Sequence, residues 1–338
     1  MTTMADRELN QDPTAQPSRE VRDGRQRAPQ ATMVIVNPYS GRGRGGRLKE
    51  KLEAALSARQ IPHALKETSK PGEAIDLAQE ATAAGYENII GVGGDGTISE
   101  IVNGLAQAAP TEQPVGKLAI VSMGSGNDFA SSLKLSQDPL QAVEAVAQGR
   151  VRPCDLGYVT IQAGGRKIDR YFANNFGTGL DAQVTLESIH LKWLQGAMLY
   201  GVAALRALLK LKTPAVDLSW EDANGQTHTR NAPISLVSVG NTYRSGGGFQ
   251  LTPGAQIDDG LLDLGVADAL SRWQLLQLLP KALQGNHVHH PAFTLVQFRQ
   301  MQLKTSEPLP VEMDGEVITE QAEEITMTVQ PGRLQLLI

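Results

Sequence analysis

With 338 residues and 41% apolar content, the chain is long enough for two domains with sizeable cores and has the composition of an ordinary globular protein. A net charge of −5 gives no case for nucleic acid as a partner. Its single cysteine, Cys154, excludes an intrachain disulfide and a cysteine-based metal cluster, and is expected to be a small buried apolar residue.

Residues 1–31 hold no apolar run and are rich in Gln, Arg, Pro and Asp, the composition of a disordered tail. They lack the apolar stretch of a secretory signal, so a cytoplasmic location is expected. Folding is expected to begin at Thr32-Met33-Val34-Ile35-Val36, which reads as a buried strand. That strand breaks into Asn37-Pro38-Tyr39-Ser40-Gly41 and an Arg/Gly run to Arg47. A helix follows with Leu48, Leu52, Ala55 and Leu56 on one face. The glycines open the backbone and the arginines favour negative charge, but no Gly-Lys-Ser/Thr follows, so this is not a Walker A loop. Residues 64–68 read as a strand and 72–85 as a helix with Ala74, Leu77, Ala78 and Ala81 as its face.

The next strand enters Gly91-Val92-Gly93-Gly94-Asp95-Gly96-Thr97, and apolar residues at 98, 101, 102 and 105 then take up helical spacing. Backbone N–H groups of a glycine turn at a helix N-terminus suit an oxyanion. A carboxylate inside such a turn repels phosphate unless a cation lies between them, so Asp95 points to a phosphate–metal site. A bare Gly-Gly-Asp-Gly is equally an ordinary turn that needs glycine for its geometry. One more strand, 117–121, ends in Met123-Gly124-Ser125-Gly126-Asn127-Asp128-Phe129. Alternating strands and helices imply a parallel sheet covered on both faces, with ligands beyond the carboxyl ends of the strands, where three glycine-bearing turns can share one site.

Near residue 150 the pattern changes to short β segments at 156–162, 168–176, 215–221, 233–240, 261–267, 294–304, 309–313, 324–329 and 333–338. Helices are expected within 184–212 and 271–284. The apolar run 196–211 is too short for a confident membrane span, which needs about 20 apolar residues. It reads as a helix that packs on the β domain, lines an apolar cleft or touches a bilayer, with Lys192, Trp193, Lys210 and Lys212 at its ends. His287, His289 and His290 fall in a polar loop and are expected to be solvated. Asp258-Asp259-Gly260 offers either a hard-cation site or an Asp-Gly turn. In Glu312-Met313-Asp314-Gly315-Glu316, a β conformation would send Asp314 and Glu316 to one side, a pair suited to proton abstraction; a solvated turn is the plainer reading.

Taken together, the segments resemble the diacylglycerol kinase catalytic-domain family in its soluble bacterial lipid-kinase form, similar to the sphingosine and ceramide kinases. The resemblance spans 32–338. It rests on Asn37 to Gly41, on Gly93 to Thr97 with Glu100 and Asn103-Gly104, and on Gly124 to Phe129. It continues through Asn174 to Gly179, Gly240-Asn241 with the 246–248 glycines, 253–260, and Asp314-Gly315-Glu316. Ser99 stands where bacterial members usually carry Asn, and Ser122-Met123 where Pro-Leu often precedes the glycine, which leaves the lipid acceptor open. A NAD kinase shares the Gly-Gly-Asp-Gly turn, but the 253–260 and 314–316 stretches argue against it.

The resemblance implies an α/β fold with a β-rich part: a Rossmann-like ATP-binding domain over 32–150, a β-sandwich lipid domain over 151–338, and an active site between them. ATP would contact Asn37, Pro38, Tyr39, Ser40, Gly41, Thr68, Gly93, Gly94, Asp95, Gly96, Thr97 and Ser125. Asp95 would belong to the network around catalytic Mg2+. A second, structural metal would be held by Asp259 with the backbone carbonyls of Gln256 and Leu261. Glu316 would be the base toward the lipid hydroxyl, beside Asp314, with the order of those two roles left open. The expected activity is an ATP-dependent lipid kinase making phosphatidate from diacylglycerol at the inner face of the membrane, with no nucleic-acid partner and a homodimer left open. The alternatives are a sphingoid base or phosphatidylglycerol as acceptor, or a non-catalytic nucleotide or lipid sensor on the same fold.

Overall fold

The computed structural model describes residues 31–111, 113–124, 126–191 and 196–338. The N-terminal tail, Ser125, Lys192 and Trp193 therefore lie outside the described residues. Four strands, β1 (Thr32–Val36), β2 (His63–Glu67), β3 (Asn88–Gly93) and β4 (Val115–Ser122), run parallel in the order β2-β1-β3-β4. Between and after them come α1 (Ser40–Ala58), α2 (Glu73–Ala83), α3 (Asp95–Gln107), α4 (Asp128–Ser132) and α5 (Leu140–Gln148).

The two-residue period of a strand explains how both faces are covered. Met33, Ile35 and Ile89 join a core with Ala74, Leu77, Ile98 and Ile101 of α2 and α3. Their neighbours Val34, Val36 and Ile90 join a core with Leu52, Leu56, Val143 and Val146 of α1 and α5. The start of α1 is not regular helix: Gly41, Arg42 and Gly43 all have positive φ, and the helix settles only after them.

The C-terminal half is antiparallel and β-rich. It comprises β5 (Val151–Ala163), β6 (Arg166–Phe172), β7 (Asn175–Gly179), β8 (Ala215–Glu221), β9 (Thr227–Gly240), β10 (Leu262–Asp268), β11 (Phe293–Phe298), β12 (Gln300–Met313) and β13 (Glu316–Leu337). Val159, Phe172, Phe176, Val239, Leu264 and Ile325 share its core. The segment expected at 168–176 divides into β6 and β7. The segments expected at 324–329 and 333–338 are one strand, because Pro331-Gly332 forms an irregularity within β13 rather than a turn. Beyond that shift β13 pairs parallel with β4 through Leu334 and Leu336, so the last strand of the chain extends the first sheet.

The helical region expected within 184–212 is two helices, α6 (Leu180–Ile189) and α7 (Gly196–Lys210). With α8 (Arg272–Ala282), whose N-terminus carries a Ser271–Gln274 capping box, they form a layer on β9 and β10 through Leu180, Ala207, Leu208, Leu236 and Leu275. No helix among the described residues is long and apolar enough to cross a membrane. The expectation of a solvated histidine loop fails for His287. It is buried, edge-on to Phe293 at 4.5 Å, with Nε2 donating to the Leu251 carbonyl at 3.3 Å. Burial lowers its pKa, so a neutral ring serves here as a packing group.

Candidate active site

The turns beyond the parallel strands are tied to one another. Asn37 N–H donates to Val92 O at 2.9 Å, Thr68 N–H to Val36 O at 2.9 Å, and Met123 N–H to Gly93 O at 2.7 Å. Across the first and third turns, Asn37 Nδ2 donates to Thr97 Oγ1 at 2.9 Å. Ser40 Oγ donates back to Asn37 O at 2.7 Å, while Tyr39 stays largely exposed at the rim. The third and fourth turns touch so closely that a Cβ on Gly124 would lie 2.8 Å from Gly94 Cα, so only hydrogen fits there. Asn37, Gly93, Gly94 and Thr97 are thus brought to one place at the N-terminus of α3, with Thr68 beside the end of β1.

Asp95 opens α3 and accepts the Phe129 N–H at 3.4 Å. A Cβ on Gly126 would stand 3.2 Å from Asp95 Oδ2 and 3.5 Å from Asp128 Oδ2, so the two carboxylates flank one point. Burial first, and the charge of Asp128 second, raise the Asp95 pKa to about 6. Asp128, absent from the expected site residues, is buried and links the two halves of the molecule. It accepts Arg244 Nε at 2.8 Å and the Gly247 N–H at 2.6 Å.

The 312–316 stretch differs from the expectation of two same-side carboxylates. Met313 pairs with Glu316, and the two residues between them, Asp314 (φ 51°) and Gly315 (φ 83°), form a tight hairpin turn with both φ positive. Asp314 is a turn residue, yet it is buried rather than solvated. Its carboxylate accepts the N–H groups of Ala173, Asn174 and Asn175 at 3.2, 2.9 and 3.1 Å. Burial raises its pKa while those three donors oppose the rise. Glu316 leans on α3: its Oε1 lies 2.7 Å from where a Cβ on Gly96 would be. Burial among protein atoms, then the charge of Glu100, raise its pKa to about 7 against the pull of Arg170. The residue as a whole is exposed, so water moderates that rise without reversing it. Glu100 itself caps α2 through the N–H groups of Gly72 and Ala74.

That contact makes Gly96 a sensitive position. Gly96→Ala would push the Glu316 carboxylate aside while asking only the end of a flexible side chain to move. With Glu316 in its expected role as base, the result should be an unchanged melting temperature and a kcat lower by about 10²-fold, the cost of misplacing such a group by about 1 Å. Turnover equal to wild type would show that Glu316 need not sit there.

Beneath the turn lies a second pair of acids that sequence reading missed. Glu312 is buried and accepts Asn175 Nδ2 at 2.7 Å and the Gly315 N–H at 3.0 Å. A Cβ on Gly177 would be 2.5 Å from Asp181 Oδ2 and 2.7 Å from Glu312 Oε1, which places the two carboxyls together. Burial raises Asp181 to about 7, and burial with the Asp181 charge raises Glu312 well above the usual carboxylate range. Two carboxyls so close favour one shared proton over two full charges, and the pair supports the turn from below. The alternation Glu312-Met313-Asp314 was the one visible signal; nothing local marks Asp181.

The 256–263 loop gathers aspartates near β10. Asp259 accepts the Leu261 N–H and Gln297 Nε2, both at 3.0 Å. Asp155 accepts the N–H groups of Gly260 and Gly332 at 2.7 and 2.6 Å, and Asp258 pairs with Arg152 at 3.0 Å. Asp263 is raised to about 6 by burial, with Asp259 adding to the rise. Among the described residues no three His, Cys, Asp or Glu side chains form a metal-binding group. A cation at Asp259 would therefore depend on backbone carbonyls such as those of Gln256 and Leu261.

Comparison with known proteins matches residues 31–159 to the diacylglycerol kinase catalytic domain and residues 174–338 to the YegS C-terminal NAD kinase beta sandwich-like domain. A protein of Chromohalobacter salexigens named "Probable lipid kinase YegS-like" is 31% identical over 308 residues, 90% of this chain and 92% of its own length. A diacylglycerol kinase of Bacillus subtilis is 30% identical over 290 residues, 84% of this chain and 88% of its own. A crystal structure of a diacylglycerol kinase from Bacillus anthracis superposes with a TM-score of 0.66 at 22% identity, covering 91% of this chain and 96% of that one, a likeness of fold. With both halves matched in order and near-full-length relatives at this identity, the chain belongs to the lipid kinase family defined by the diacylglycerol kinase catalytic domain.

Proposed function

We propose that the protein transfers the γ-phosphoryl group of ATP to the hydroxyl of diacylglycerol, making phosphatidate. The observation that carries this reading is the placement of the Glu316 carboxyl against Gly96, beside Asp95 at the N-terminus of α3. In this proposal residues 32–150 bind ATP and residues 151–338 bind the lipid. Asn37 to Gly41, Thr68, Gly93 to Thr97 and Ser125 hold the nucleotide, whose phosphates sit on the α3 N-terminus. Glu316 takes the proton of the acceptor hydroxyl as its oxygen bonds to the γ-phosphorus and the bond to the ADP oxygen breaks. Asp314, saturated by three backbone donors, orients the turn that carries Glu316.

The carboxylates fit a divalent cation: Asp95 and Asp128 flank one point, and their mutual repulsion is relieved by a positive charge between them. Mg2+ bound there would neutralise phosphate charge. Diacylglycerol resides in a bilayer and ATP in the cytoplasm, so the enzyme would work as a peripheral protein on the inner membrane face. Incubation with labelled ATP and a panel of lipids in mixed micelles tests the reading, with labelled phosphatidate as the expected product. Label on a sphingoid base or phosphatidylglycerol instead would change the acceptor, and no labelled lipid would end the proposal.

Asp259, with the carbonyls of Gln256 and Leu261, is proposed to hold a second, structural cation. A ligand that binds only the folded state stabilises it by mass action. Magnesium is therefore expected to raise the melting temperature of wild type by more than that of Asp259→Ala, which keeps only the Asp95–Asp128 site. Equal magnesium shifts in the two proteins would remove this site.

A further inference from the structure

Helix α7 is apolar on two opposite sides. Ala203, Ala204, Ala207 and Leu208 are buried against its neighbours. Met198, Leu205 and Leu209, spaced by seven and four, line the other side and are 68%, 49% and 69% exposed. Only one of these two apolar sides is covered by the protein, with Arg206 and Lys210 on the flank between them. Of the nine exposed large hydrophobic residues among those described, six lie in or directly beside α6, α7 and α8, including Trp273 at 67%.

The α7 and α8 part of this layer is charged opposite to the chain, while α6 brings Asp181 and Glu187. Residues 196–212 and 271–284 carry Arg206, Lys210, Lys212, Arg272 and Lys281 and no Asp or Glu, in a protein of net charge −5. Arg206 and Lys210 are held at 2.9 and 2.6 Å by the buried Glu187 of α6. Lys212 is 74% exposed. Under the same helices an apolar cleft is lined by Leu180, Val184, Ala204, Phe249 and Leu279, with Asp181 and Gly246 also in its wall. Asp181 abuts Glu312 beneath the catalytic turn, and Gly246 precedes Gly247, which binds Asp128. Two residues of the cleft wall therefore adjoin residues of the site.

We propose that the Met198–Leu205–Leu209 stripe of α7, with Trp273 of α8, docks the enzyme on an anionic bilayer. The inference deepens the lipid-kinase reading and rests on it for the identity of the surface. Apolar groups enter the acyl boundary while lysines and arginines meet anionic headgroups. A second copy of the chain is the poorer occupant, because a twofold contact would set these cations against themselves.

The test is sedimentation of the full chain with vesicles of phosphatidylcholine, with and without phosphatidylglycerol, together with turnover of a short-chain, monomeric diacylglycerol. Wild type is expected to bind only the anionic vesicles. The double variant Leu205→Gln/Leu209→Gln, altered at exposed positions, is expected to lose at least about tenfold in vesicle binding. Its turnover of the short-chain substrate should be unchanged. Lys212→Gln/Lys281→Gln is expected to weaken binding in the same direction and to reduce its salt dependence. Wild-type vesicle binding by the leucine variant would overturn the proposal, as would a dimer that the variant splits with vesicle binding intact. Loss of vesicle binding in the variant, when neither protein phosphorylates the short-chain lipid, would uphold the docking face and reject diacylglycerol as acceptor.

Discussion

Glu316→Gln is expected to lower kcat by about 10²–10⁴-fold, the usual contribution of a positioned base, with ATP binding nearly unchanged. The substitution keeps the shape of the side chain against Gly96 and removes its basicity. The pH profile carries a second signature. The Glu316 pKa is raised to about 7, and the form that accepts a proton is the charged one, present above that value. Activity of the wild type should rise with pH through about 7 and level off above it, and that limb should vanish in Glu316→Gln. Asp314→Asn probes the reverse assignment. Its carboxylate is already filled by three backbone donors, so it should lose activity through a misplaced turn and retain the wild-type limb. A silent Glu316→Gln beside an Asp314→Asn without the limb would make Asp314 the base. Normal turnover in both would leave the stretch as a turn alone.

Asp95→Ala is expected to reduce phosphoryl transfer by at least about 10³-fold, several kcal/mol of charge stabilisation at the transferred group. Stability should move the other way. Burial and Asp128 raise the folded-state pKa of Asp95 from 3.8 to about 6. A carboxyl with a raised folded pKa contributes stability that is fully present below its unfolded value and is lost as pH rises through the folded one. At pH values above about 6 the charged Asp95 therefore burdens the fold, and its removal should leave the melting temperature equal or higher. A variant that melts well below wild type at neutral pH would make Asp95 a structural residue. Wild-type turnover would remove it from the site.

The parallel half was legible because its signals are short-range. Met33 and Val34 face opposite ways for the same reason that any neighbouring strand residues do, and Ile98, Ile101 and Leu105 fall on one helix face within three turns. The β-rich half was less legible at its edges. Pro331-Gly332 has the composition of a turn, yet pairing with β5 on one side and β4 on the other carries β13 through it. Asp314-Gly315 shows the reverse limit: the dipeptide names the turn, but nothing in it reveals that the aspartate is buried.

By itself the sequence determined the succession of strands, glycine turns and helices, and which short stretches could carry phosphate, a cation or a base. Those properties follow from backbone permissiveness and side-chain period within a few residues. Only the tertiary structure decided which carboxylates differ from one another. Asp314 is filled by N–H groups 139 to 141 residues away, Asp128 is held by Arg244 across 116 residues, and Glu316 meets Gly96 from the far end of the chain. Asp181 and Glu312 share a buried site although nothing in the local sequence of Asp181 announces a partner. The reason is that desolvation and like-charge proximity set a carboxyl's pKa, and both depend on atoms brought near by folding rather than on neighbours in the chain.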